Sequence, residues 1–291
     1  MFLTIFTPAY NRAYIIKRLY DSLLEQTCPC FEWIIIDDGS TDETETLISS
    51  FLREGKIDIH YLKRSNGGKH RAINQGVKKA RGELFFIVDS DDLLPSDAVE
   101  ILYHYYEKVR MDNTFAGISG IRVNMANERI GGELNIDCIQ ATSLDIRMKY
   151  GIQGDLAEAY KTSVLKEFPF PEYEDEKFCP EALIWNRIAQ KYKLLLFNKP
   201  VYICEYLDDG LTAKIVKVRM QSPLASMDTY AELSSYNIPK IQKMKASVNF
   251  WRFSFHSDMR LKDKIKRIGY VKSYVSIPIA FLMYLYDKKN I

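Results

Sequence analysis

Residues 89–92, Asp-Ser-Asp-Asp, put three carboxylates into four positions directly after the apolar run Leu84-Phe85-Phe86-Ile87-Val88. Carboxylates this close raise one another's pKa values or recruit a cation. An oxygen-only set with few protein ligands suits Mg²⁺ or Mn²⁺, hard ions that complete their coordination with water and phosphate oxygens. The chemistry to expect is therefore charge stabilisation on a diphosphate. The ordinary alternative is a solvated acidic turn. An EF-hand is disfavoured, because a loop beginning at Asp89 has Leu94 where the sixth-position glycine should stand.

Three further polar segments follow apolar runs upstream: Thr7-Pro8-Ala9-Tyr10-Asn11-Arg12, then Asp37-Asp38-Gly39-Ser40-Thr41-Asp42, then Ser65-Asn66-Gly67-Gly68-Lys69-His70-Arg71. Each could be a plain turn or helix cap if it stood alone. The common nucleotide signatures are missing. No GxGxxG follows the first run, and Gly67-Gly68-Lys69 lacks the upstream glycine and the following Ser or Thr of a phosphate-binding P-loop.

The elements that must position these segments follow from periodicity. FLTIF, FEWIIID, DIHYLKR and ELFFIVD read as strands. Between them YIIKRLYDSLLEQ is a helix with Ile15, Ile16, Leu19, Leu23 and Leu24 on one face. STDETETLISSFLRE is a helix capped by Ser40 or Asp42, and KHRAINQGVKKA is a third. Alternating strand and helix predicts βαβ units, a mostly parallel sheet and helices on both faces. In such a sheet ligands bind beyond the carboxyl ends of the strands, where all four polar segments lie. Farther along, a helix over about 96–111, a strand at GISGIRVNM, a helix at ALIWNRIAQKY with Leu183, Ile184 and Ile188 inward, and one or two strands in LLLFNKPVYICEY are expected. After about residue 215 only helical patterns remain.

The chain has 291 residues and a net charge of +2, so no global field points to nucleic acid. Cys28, Cys30, Cys138, Cys179 and Cys204 form no CxxC pair or zinc spacing, and reduced thiols are expected. The opening apolar run is too short for a signal-peptide core and reads as the first strand. No stretch reaches the roughly 18 apolar residues of a spanning helix. The uncharged segment 273–286 is shorter than that and contains Pro278. Between Pro239 and Lys272 stand ten Lys or Arg against two acids, interleaved with Phe250, Trp251, Phe253, Phe255 and Tyr270. Cationic helices beside an apolar, tyrosine-ended segment suit an anionic membrane surface. Packing on the protein or on a second copy is the alternative, and nucleic acid is not expected.

The order of the four segments resembles the family 2 glycosyltransferases of GT-A fold, strongly over residues 1–95 and more weakly to about 210. TPAYNR is similar to that family's opening loop, IIIDDGSTDET to its nucleotide-binding signature, NGGKHRAINQG to its third segment and DSDD to its DxD metal motif. The resemblance implies inverting transfer of a sugar from a nucleotide-sugar, with uridine the default base, to an acceptor hydroxyl. It implies a catalytic domain over 1–215, with a nucleotide half at 1–95 and an acceptor half at 96–215, and a helical extension over 216–291. Pro8, Ala9 and Tyr10 would line the base and ribose pocket, and Asp37 and Asp38 would bond base or ribose. Lys69 or Arg71 would reach base or diphosphate, Asp89 and Ser90 the nucleotide, and Asp91 with Asp89 the Mn²⁺ or Mg²⁺. Asp92, Asp155 and Trp185 would face donor sugar or acceptor. The base that deprotonates the acceptor would be Glu181, opening a helix in FCPEALIW, with Glu174, Asp175 and Glu176 as rivals. Tyr206, Asp208 and Asp209 would form a loop over the diphosphate. The acceptor would be a saccharide or lipid-linked saccharide in bacterial surface-polysaccharide assembly, at the cytoplasmic face of the plasma membrane, with a homodimer as a further expectation. Competing classes are a Mg²⁺-dependent phosphoryl hydrolase, whose acidic motif would normally follow the first strand, and a non-catalytic scaffold of the same fold.

Overall fold

A computed structural model describes residues 1–204 and 214–290. Its internal contacts group the chain into two units, Met1–Pro169 with Arg187–Tyr206, and Phe170–Asn186 with Leu207–Ile291. Tyr206, Asp208 and Asp209 fall outside the described residues.

The first unit opens with four strand–helix repeats: β1 (Leu3–Ala9), α1 (Ile16–Leu24), β2 (Phe31–Asp37), α2 (Thr44–Glu54), β3 (Ile59–Lys63), α3 (Lys69–Lys79), β4 (Leu84–Ile87) and α4 (Ala98–Glu107). It continues through β5 (Phe115–Val123), β6 (Cys138–Ala141), α5 (Ser143–Met148), β7 (Leu156–Lys161), α6 (Thr162–Glu167) and β8 (Lys193–Ile203). The eight strands form one sheet in the order β3-β2-β1-β4-β7-β5-β8-β6. β1 pairs in parallel with β2 and β4, β2 with β3, and β5 with β8, while β7 runs antiparallel between β4 and β5 and β6 antiparallel on β8. The sheet is thus mostly parallel, as expected.

Every residue of β2 is buried because both faces of the sheet are covered. On one face Leu3, Ile5, Trp33 and Ile35 pack with Ile16, Leu19 and Leu23 of α1, Ile48 and Phe51 of α2, and Val99 and Leu102 of α4. On the other face Phe6 stacks on Phe85 with ring centroids 5.0 Å apart, and α3 lies so close that a Cβ at Gly76 would collide with the Phe6 ring. Two local expectations need correction. Leu24 is 37% exposed, outside the buried stripe of α1. Ser40 and Asp42 do not occupy the N-cap of α2, which is Glu43, although Asp42 Oδ1 accepts from Thr44 N two residues later.

The thiol expectation also changes at one pair. Cys28 and Cys30 are disulfide-bonded, their Cα atoms 5.6 Å apart and within bridging range across the single Pro29, while Cys138, Cys179 and Cys204 keep their thiols.

In the second unit, α7 (Glu181–Ile188) begins with its residues to Asn186 and continues into the first. α8 (Ile215–Met220), α9 (Pro223–Ser235), α10 (Lys240–Ser254), α11 (Leu261–Ile268) and α12 (Tyr270–Asn290) follow. Ser222 and Pro223 take the N-cap and first position of α9, where the missing proline N–H costs nothing. The core of this unit is Met227, Val248, Phe250, Trp251, Ile268 and Ala280.

Candidate functional site

Register aligns the strand ends. Ala9 faces Asp37 and Asp37 faces Lys63, with Phe6 beside Ile87, so the loops leaving β1, β2, β3 and β4 share one edge. These loops are tied to one another by short polar bonds. Asp38 N donates to Ala9 O at 2.8 Å, Asn11 N to Ser40 Oγ at 2.8 Å, Thr41 N to Asn11 Oδ1 at 2.8 Å and Arg12 N to Thr44 Oγ1 at 2.9 Å. Asn11 adopts φ 53°, a left-handed conformation that asparagine tolerates better than most residues.

Asp37 is fully buried and accepts from Ser40 N at 2.7 Å and from the Tyr61 hydroxyl at 2.7 Å. Burial and this carboxylate together push the Tyr61 phenol well above its ordinary pKa. Asp38 accepts from Gly67 N at 3.0 Å and Gly68 N at 2.6 Å, with Arg64 Nε 3.3 Å away. The second loop therefore holds the third in place. Glycine is required at Gly39, which has φ 89° and whose Cβ would sit 2.9 Å from Asn66 N. The two acids predicted to bond the nucleotide thus also carry the architecture of its loops. Pro8 and Ala9 close β1, and Tyr10 is 48% exposed.

The acidic turn after β4 meets cations already present in the protein. Lys69 Nζ lies 2.6 Å from Asp89 Oδ1, while Arg71 folds back to donate to Gly67 O at 2.8 Å. Burial alone would raise the Asp89 carboxyl, but Lys69, with Arg122 and Arg12 behind it, holds its pKa below the usual range. Asp91 is pushed up by burial and then by the Asp89 charge, and no cationic side chain among the described residues pairs with it. Asp92 is buried and is pushed up to about 7 by burial and Asp89, against the hydrogen bond from Tyr202. Ser90 is buried in the same turn, which Asp92 N closes onto Asp89 O at 3.1 Å.

Two residues that sequence reasoning did not single out organise this turn. The Tyr202 hydroxyl accepts from Asp89 N at 3.0 Å and donates to Asp92 Oδ2 at 2.6 Å. The Arg122 guanidinium lies 4.1 Å from the centre of the Tyr202 ring, and its Nε donates to Leu156 O at 2.7 Å. Asp155, exposed before β7, lies within the electrostatic reach of Arg122. Arg122 is the only charged residue within GISGIRVNM, a signal that could have marked it; Tyr202 sits in VYICEY without one.

The donor set suits a divalent cation: Asp91 offers a carboxylate with no ion-pair partner among the described residues, and Asp89 adds a second carboxylate oxygen pair shared with Lys69. Among the described residues, the three-residue group whose ligand atoms lie close enough to converge is instead Glu32, Asp58 and His60. Arg81 occupies that place, with Nε 2.6 Å from Glu32 and a terminal nitrogen 2.5 Å from Asp58 and 2.8 Å from His60. It is an ion-pair knot at the amino end of the strands.

In the second unit, Glu181 opens α7, and Trp185 stacks edge-on against Phe170 with centroids 6.0 Å apart. Leu183, Ile184 and Ile188 are buried as expected. Of the rival acids, Glu174 and Asp175 are exposed, and Glu176 is buried and accepts from Leu224 N at 2.6 Å and Ala225 N at 2.9 Å, capping α9.

Residues 4–160, more than half of the chain, match glycosyl transferase family 2. The chain belongs to glycosyl transferase family 2. Its fold is GT-A: the family 2 chain superposes on a crystal structure of Staphylococcus aureus TarS residues 1–349 with a TM-score of 0.64 at 19% identity, covering 92% of this chain and 81% of that one. The same TarS fragment with UDP-GlcNAc gives 0.64 at 18% identity over 96% and 79%, and a Pyrobaculum calidifontis mannosyltransferase with GDP-Man and Mn²⁺ gives 0.59 at 17% over 98% and 87%. In sequence it is 26% identical over 195 residues to the poly(ribitol-phosphate) beta-N-acetylglucosaminyltransferase TarS of S. aureus, covering 64% of this chain and 33% of TarS. It is 29% identical over 194 residues to the poly(ribitol-phosphate) beta-glucosyltransferase of Bacillus spizizenii, covering 63% and 30%. The chain spans about a third of the length of these curated relatives.

Proposed function

We propose that the chain transfers a sugar from a UDP-sugar, with inversion at the anomeric carbon, to a hydroxyl of a saccharide or lipid-linked saccharide at the cytoplasmic face of the plasma membrane. The observation that carries this reading is the interlocked edge of β1–β4, where the loops after the four strands lie side by side and Lys69 of the third is paired to Asp89 of the fourth. UDP and UDP-GlcNAc complexes of TarS, a structural neighbour, support the choice of base. The relatives' names add a polyol phosphate polymer to the acceptors worth assaying.

On this reading Pro8, Ala9 and Tyr10 border the base and ribose, and Asp37 and Asp38 present the second loop to them. Asp89 and Ser90 face the nucleotide. Asp91 with Asp89 would hold Mn²⁺ or Mg²⁺, which supplies charge stabilisation to the departing diphosphate. Lys69 adds a fixed positive charge on the same side, and Arg71 braces its loop. Asp92, Asp155 and Trp185 are assigned to donor sugar or acceptor. Glu181 takes the acceptor proton; Glu176 is the weakest rival because both its oxygens cap α9.

The test is UDP release from a sugar-nucleotide panel with Mn²⁺ and candidate acceptors. Asp91→Asn and Glu181→Gln should each slow turnover on the order of 100-fold or more. Metal-independent turnover untouched by Asp91→Asn would overturn the metal assignment. Phosphate release without sugar transfer would favour a hydrolase, and donor binding without turnover a scaffold.

A further inference from the structure

A helix on the surface of a water-soluble unit buries its apolar stripe and exposes its polar one. α12 does the reverse. Its fully buried positions are Ser273, Ser276, Ala280 and Asp287, whereas Val271, Tyr274, Ile279, Leu282, Leu285 and Tyr286 are exposed, Tyr274 at 85% and Leu282 at 68%. At about 100° per residue these exposed residues, with Val275 between them, fall on one side of the helix and form one continuous face, roughly 22 Å long at 1.5 Å per residue. Rotation about the helix axis is fixed from inside: Arg252 Nε and a terminal nitrogen donate to the two oxygens of Asp287, each at 2.6 Å. The ring of Phe255 packs against Phe281 and Tyr284 on the flank.

The segments that flank this face in the chain are cationic. Lys262 and Lys266 of α11 and Lys288 and Lys289 at the end of α12 are exposed, Arg267 is paired to Asp228, and no acid stands between Gly269 and Tyr286. Tyr270 and Tyr274 mark one end of the stripe and Tyr286 the other; tyrosine suits a boundary with an apolar side and a wet side. No single described helix is long and apolar enough to cross a membrane, and α11 with α12 satisfies the length and composition only as a pair bent by 113°. A second copy docked here would bring like-charged flanking segments together, whereas anionic headgroups would neutralise them.

We propose that the outer face of α12 lies in the plane of an anionic phospholipid surface, its apolar side chains below the phosphates and the lysines of α11 and of the α12 terminus on the headgroups. α12 carries none of the residues assigned to donor binding, so membrane binding and sugar transfer can be measured separately.

The experiment is flotation of the full chain with phosphatidylglycerol-containing vesicles and with pure phosphatidylcholine vesicles. The chain should float with the anionic vesicles and be released by salt. The double variant Ile279→Glu/Leu282→Glu should lower the bound fraction roughly tenfold or more. Because both residues are exposed, its circular dichroism and thermal transition should match the parent. Lys262→Glu/Lys266→Glu, which leaves the apolar face intact, should weaken binding to anionic vesicles. Failure of the full chain to float, equal flotation of the Ile279/Leu282 variant, or a parent dimer that this variant dissociates would overturn the proposal, the last by giving the face to a second copy.

Discussion

Tyr202→Phe removes one oxygen and should loosen the acidic turn without emptying its surroundings. The hydroxyl is fully buried; it accepts from Asp89 N at 3.0 Å and donates to Asp92 at 2.6 Å. Losing the first bond deprives a backbone N–H of its acceptor, at about 1–3 kcal/mol, and losing the second removes a bond to a charged group, at about 1.5–3 kcal/mol. The ring keeps its edge contact with Phe86 and its place under Arg122, and neighbouring terms are not additive. The expected net loss is therefore about 2–4 kcal/mol, read from urea unfolding with an unchanged slope. A double-mutant cycle with Asp92→Asn should show a coupling of about 1–2 kcal/mol. A Tyr202→Phe protein within about 0.5 kcal/mol of the parent, or strict additivity with Asp92→Asn, would refute the hydroxyl's role as the strut of this turn.

Gly76→Ala, normally stabilising in a helix, should instead cost about 1–3 kcal/mol, because its Cβ meets the Phe6 ring; thermal unfolding reads this. Glu32 is fully buried and accepts from Thr4 Oγ1, Arg81 N and Arg81 Nε; burial would raise its pKa, but these donors outweigh it and hold it low. A depressed carboxylate stabilises the fold above its unfolded pKa of about 4.3 and loses that contribution as pH falls through its folded value. Urea titrations should therefore show Glu32→Gln well below the parent in stability at neutral pH, with the gap narrowing in acid. Asp287→Asn should destabilise the helical unit by about 3 kcal/mol by leaving the mostly buried Arg252 without its partner, and Arg252→Met/Asp287→Leu should recover most of the loss in calorimetry.

Periodicity was enough to read the alternation from β1 to α4, and the polar segments that end the first four strands were legible as one edge. A parallel βαβ chain leaves little choice about where those segments go. The sequence also carried the cationic, tyrosine-rich character of its last fifty residues. It did not reveal β7, a short strand slipped antiparallel between β4 and β5, because LAEAYK carries neither alternation nor the continuous apolar run that marked β2 and β4.

What only the tertiary structure decided was which partner each acid takes. Asp38 is tied to Gly67 and Gly68, Asp89 to Lys69, Asp92 to a tyrosine 110 positions along the chain, and Glu176 to the start of α9. Lys69 holds Asp89 ionised against its burial, whereas burial and the Asp89 charge push Asp92 toward neutrality against its bond from Tyr202. The structure likewise turned the apolar side of α12 outward, which its composition alone could not do, since the direction depends on where Arg252 meets Asp287. Local pattern determines elements because it acts over a few residues. Charge pairing is a property of distant segments brought together, and it has no periodic trace.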